Sequence, residues 1–117
     1  MREILFRAKT VCDGDWVYGG ITWNPSKNEV FIHTKWDEGK VIPETVGQFT
    51  GLTDKNGIKI FEGDILKGLY ANGNAEVEMI NGSWVGYAGK GWTDIGYVVD
   101  RVEVIGNIHD NPELLTE

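Results

Sequence analysis

Cysteine is almost missing from this sequence: Cys12 is the only one in 117 residues. No disulfide can form within the chain, and the composition fits a reducing compartment. No apolar run approaches the roughly 20 residues of a membrane-spanning helix. The opening stretch, "MREILFRAKT", carries charges where a signal peptide would carry its apolar core. A soluble cytoplasmic protein with no membrane partner is therefore expected. Positive charge is also short, with 11 Lys and Arg against 18 Asp and Glu and a formal net charge of -7. The basic residues are scattered singly, so the overall field does not steer the chain to phosphate, and nucleic acid is the less expected partner. Basic partners remain compatible. Cys12, His33 and His109 stand apart, with no C-x-x-C or H-x-x-x-H spacing. "GKGW" at 89–92 has neither the spacing nor the following helix of a phosphate loop. Hence no catalytic residue, metal site or cofactor is assigned, and the chain is expected not to be an enzyme.

What the sequence does have is glycine, at 16 residues against three prolines, and five tryptophans. Many glycines and few prolines suit tight turns between strands. Large rings give a small domain much buried area per residue. The chain reads as short strands separated by turn signals. "WVYGGITW" (16–23) and "EVFIHTKW" (29–36) flank the "NPSKN" loop and make a hairpin, with Val30, Ile32 and Thr34 on one face of the second run. "AEVEMI" (75–80) alternates Ala75, Val77 and Met79 inward with Glu76 and Glu78 outward, and Asn81-Gly82 is the hairpin dipeptide leading into "SWVGYA". "WTDIGYVV" and "RVEVIGNI" continue as strands. "DNPELL" predicts a short C-terminal helix with Asn111 as N-cap and Pro112 at its first position. The expected class is all-β, a small barrel with one terminal helical turn. We divide it into an N-terminal hairpin region (1–60) and a barrel (61–117) within one compact unit.

The stretch "GLTDKNGIKIFEGDIL" (51–66) gathers Asp54, Asn56, Glu62 and Asp64. An EF-hand loop with Gly57 at its sixth position would begin on Leu52 and end on Gly63, and both fail as ligands. A turn explains the set better: Asp54 opens it and Asn56-Gly57 accepts positive φ. Glu62 and Asp64 as a carboxylate pair for hydrolysis lack any visible means of separating their pKa values. Gly63-Asp64 instead reads as a bend into a strand.

Four blocks together resemble the YopX family: "MREILFRA" at the start, "VYG" at 17–19, "PETVGQFTGLTDKNGIKIFEGDIL" at 43–66 and "VEVIGNIHDNPELL" at 102–115. The central block carries most of the likeness, through Gln48, Phe49-Thr50-Gly51-Leu52, Asp54, Asn56-Gly57, Ile60-Phe61 and Glu62-Gly63-Asp64-Ile65. After "FRA" the family usually has an aromatic-acidic pair, where this chain has Lys9-Thr10. The resemblance implies a small bacteriophage or prophage product with an SH3-type barrel in its C-terminal half. It brings no biochemical activity, so no catalytic residue is carried over.

Trp84, Tyr87, Trp92 and Tyr97 form the candidate interaction face. In a strand, Trp84 and Tyr87 point to opposite sides, so they cannot all be core. An exposed subset could stack on a peptide, a base or a second subunit. The function expected is a phage-derived, non-enzymatic binding or assembly module. Its partner is a second copy or another phage or host protein. A nucleic-acid-binding barrel is the alternative, and a carboxylate-dependent hydrolase the remote one.

Overall fold

A computed structural model describes residues 3–35, 37–71, 73–89 and 91–115. It divides into two compact units, Met1–Phe49 and Thr50–Glu117, with the boundary inside one strand. The chain is all-β, its strands interrupted by three short 3-10 segments.

The first unit is a meander of β1 (Phe6–Lys9), β2 (Trp16–Asn24), β3 (Glu29–His33) and β4 (Glu38–Val41), joined by the start of β5 (Gly47–Thr53). β1 pairs antiparallel with β2, β2 with β3 and β3 with β4, and β1 also pairs with β5, Phe6 opposite Gln48. Alternation in β3 works as its sequence demands: Val30 and Ile32 are buried with Ala8 and Val41, against Phe6, Val17, Ile21 and Val46. Asn28 closes the β2–β3 turn at φ 52, a conformation asparagine tolerates. The meander curls back on itself. Thr10 bridges Val41, the Val11 amide donates to the Lys40 carbonyl at 3.0 Å, and the Ile42 amide donates to the Lys9 carbonyl at 2.8 Å. One bridge, not a strand pairing, makes this contact.

The second unit contains the end of β5, β6 (Lys59–Phe61), β7 (Asp64–Lys67), β8 (Ala75–Ile80), β9 (Ser83–Ala88), β10 (Gly91–Asp94) and β11 (Glu103–Asn107). Five of them form an antiparallel sheet ordered β10-β9-β8-β7-β11. The β8–β9 hairpin turns on Asn81 (φ 51) and Gly82 (φ 82), the mirror-image turn whose twist suits a hairpin. Ile60, Leu66, Leu69, Ala75, Val77, Ile95, Val98 and Val102 form the core, with Trp84 packed against it. An expected joint after residue 60 would fall inside β6.

Three expectations need correction. The sheet of the second unit is open among the described residues: β10 and β11 end the order and do not pair, so no SH3-type barrel closes there. The run expected as a strand through Tyr97 stops at Asp94. Its carboxylate accepts the Gly96 amide at 2.9 Å and starts a 3-10 turn over Ile95–Tyr97. The C-terminal helix is only a 3-10 segment, Pro112–Leu115. There the Leu114 amide donates three residues back to the Asn111 carbonyl at 3.0 Å. The Asn111 side chain is turned the other way, accepting the Asn107 amide at 3.3 Å instead of serving as an N-cap.

Candidate functional site

The signature stretch is a structural tie. Asp54 is 5% exposed and accepts three backbone amides: Asn56 at 2.8 Å, Ile58 at 2.9 Å and, from β11, Val104 at 2.9 Å. Desolvation is the largest single influence on this carboxyl and would raise its pKa. The three amides, with Lys55 nearby, outweigh it and hold the pKa below the ordinary aspartate value. Lys55 adds a backbone bond to the Val102 carbonyl at 3.1 Å and places its ammonium 3.8 Å from Glu103. The turn thus lies along the outer side of β11, satisfying part of an otherwise open edge. Asn56 is exposed on the turn and Gly57 has φ 81.

Asp64 is 1% exposed and accepts the Phe61 amide at 2.7 Å, holding the β6–β7 bend, while Glu62 beside it is exposed. Gly63 sits between them at φ 90, its amide donating to Val77 and its carbonyl accepting Ile108. A buried turn-forming carboxylate and an exposed one do not make an acid/base pair. Gln48 lies on β5 opposite Phe6. Cys12 is exposed. His33 bonds the Thr22 hydroxyl and lies 3.4 Å from Glu38, on a strand far in sequence from His109. Among the described residues no group of His, Cys, Asp or Glu could hold a metal ion.

The aromatic residues divide. Trp84 packs on the core. Tyr87 and Trp92 are direct cross-strand partners on β9 and β10, 39% and 49% exposed. They form one row with Glu76, which is opposite Tyr87 on β8. Tyr97 is 86% exposed but belongs to the 3-10 turn. Two of the four residues therefore share a strand-borne surface. Trp92's strand, β10, ends the sheet among the described residues, and Tyr87 lies one strand in, on β9.

Sequence reasoning did not single out Glu76 or Tyr70. Around them opens a groove of about 820 Å³, lined by Tyr70, Asn74, Glu76, Tyr87, Leu115 and the glycines Gly89 and Gly91. Tyr70 is fixed by its hydroxyl, 3.3 Å from the Gly86 carbonyl and 3.1 Å from the Thr93 hydroxyl. Asn74 donates to the Leu114 carbonyl at 2.9 Å. The Glu76 carboxylate has no hydrogen bond or ion pair among the described residues. Burial first, and the charge of Glu78 second, push its pKa up. The only sequence signal was its place on β8 opposite an aromatic strand, and that pairing needs the register to be known.

Comparison with known proteins bears on fold and family. The YopX protein family model matches residues 5–116. The crystal structure of protein EF1440 from Enterococcus faecalis matches with a TM-score of 0.64 and 24% identity, covering 98% of this chain and 99% of that one. That likeness shows the fold. No curated protein matches.

Proposed function

We propose, from the premise that this chain belongs to the YopX family, that it is a non-enzymatic binding or assembly module that takes a partner strand along β10. One observation carries the reading: the Asp54 turn bonds to β11 at one end of the sheet, and among the described residues no strand pairs with β10 at the other. The Asp54 turn lies against β11, whereas β10 ends the sheet and carries exposed Trp92, paired with exposed Tyr87 on β9. An edge strand beside exposed aromatic rings suits strand addition, in which backbone bonds supply affinity and side-chain contacts supply selectivity. The partner is a second copy of the chain or another phage or host protein, met in the cytoplasm. The setting in a phage or prophage follows from the family resemblance.

Nucleic acid is the second reading, because Tyr87 and Trp92 could stack on bases. The net charge of -7 opposes it. Light scattering behind a sizing column, with and without single-stranded DNA, tests both. A multi-protomer mass indifferent to DNA, and lost in Trp92→Ala, supports the module with a second copy as partner. A monomer whose mass rises with DNA in a salt-sensitive way overturns it in favour of nucleic acid.

A further inference from the structure

The groove beside the terminal strand is lined by Gly91 of β10 and Tyr87 of the neighbouring β9, and the charge around them is one-sided. Residues 50–117 hold five Lys and Arg against eleven Asp and Glu, while residues 1–49 hold six against seven. Within the five-stranded sheet the contrast is sharper. Lys67 is its one basic residue, against Asp64, Glu76, Glu78, Asp94 and Glu103. Lys67 is placed opposite Glu103 on β11, and the neighbouring charge acting on Glu76 is that of Glu78, another carboxylate. A half-buried carboxylate with no partner among the described residues, flanked by aromatic rings, asks for a cation with an apolar stem.

We propose that this groove receives a lysine or arginine side chain carried on an extended strand of a basic partner protein. Glu76 is its counter-ion, and Tyr87 and Tyr70 are its aromatic walls. The inference rests on β10 being the docking edge and narrows the occupant of that edge. A cation over an aromatic face gains from the ring quadrupole, and more so where both are partly dry. The long alkyl stem of lysine or arginine can lie along Tyr87 and Leu115 while its head reaches Glu76. A second copy is the poorer occupant, because edge-to-edge pairing would bring two sheets rich in carboxylates together. Lys67 cannot substitute without leaving its place opposite Glu103. Lys90, between Gly89 and Gly91 in the sequence, lies outside the described residues.

The test is fluorescence anisotropy with three labelled peptides of equal length, alternating valine with lysine, serine or glutamate. The lysine peptide is expected to bind at least about tenfold more tightly than the serine peptide, and the glutamate peptide not at all. Added salt should weaken the lysine peptide selectively. Glu76→Gln, which keeps the shape of the side chain, should cost the lysine peptide about tenfold and leave the serine peptide unchanged. Tyr87→Leu is the second variant, expected to weaken the lysine peptide without removing the charge. Lys90→Ala should leave its binding equal or stronger. Equal binding of all three peptides would leave edge docking standing and overturn the cation site. So would a lysine peptide indifferent to Glu76→Gln. If no peptide binds but the chain self-associates through a Trp92-sensitive contact, the module stands and the cation site falls. If no peptide binds and the chain is a monomer, both fall.

Discussion

Asp54 shows how much one side chain can organise. It closes its own turn through Asn56 and Ile58 and reaches a strand 50 residues further on through Val104. Replacing it with alanine leaves amides without an acceptor, and a loss of about 3 kcal/mol is expected in urea unfolding. Asn retains one carbonyl oxygen and should cost less, about 1–2 kcal/mol. The pH dependence has a definite sign. The folded pKa of Asp54 is depressed, so its stabilisation is present above the ordinary aspartate value and is lost as pH falls through the depressed one. Glu76 behaves oppositely. Its folded pKa is raised, so its contribution is present below the ordinary glutamate value and is lost as pH rises through the raised one. Glu76→Gln should therefore raise the thermal midpoint slightly at neutral pH and leave it unchanged in acid, which a calorimetric pair at the two pH values would check. A loss of midpoint at neutral pH would mean that the carboxylate has a stabilising partner.

At the scale of elements, local rules carried far and then stopped for identifiable reasons. The alternation in β8 correctly buries Ala75 and Val77 but not Met79, which is 45% exposed because the end of the hairpin runs past the core. Asn81-Gly82 was legible because its chemistry is local, and both residues adopt the positive φ that it favours. Substituting Gly82 by Ala places a Cβ in that conformation and should cost about 1 kcal/mol, read from the urea midpoint at constant slope. Polar side chains ended elements that pattern alone would have prolonged: Asp94 captured the Gly96 amide, and Asn111 turned back to Asn107. Neither choice can be read without knowing which amides are nearby. The signature stretch was legible as a turn and a family mark. Its grip on β11 was not, since Val104 comes near Asp54 only in the fold. Glu76 was taken as an outward charge by alternation, and it is outward. What alternation could not show was the groove, lined by Tyr70 and Tyr87, in which it lies half-buried.

For the whole molecule, the uneven spread of charge matters more than its sum. An overall charge of -7 describes solubility and general repulsion of phosphate. On the proposed docking at β10, the concentration of carboxylates in residues 50–117 would set which partner is accepted. Association of a basic strand should then fall steeply as ionic strength rises, with the change mostly in the association rate, as stopped-flow mixing at two salt concentrations would show. A salt-independent rate would assign the recognition to the aromatic pair instead. The covered side of β11 has a further consequence. A sheet with two usable edges can pass a strand-addition contact from one molecule to the next and grow into a fibre. Here the Asp54 turn is bonded along β11, so the proposed addition at β10 would not be passed on through this sheet's other end. Two copies meeting there would form an isologous pair, and a foreign strand would form a one-to-one complex. If the proposed addition at β10 holds, Asp54 would act as a terminator at the other end of this sheet, and its loss should be looked for in filaments as well as in stability.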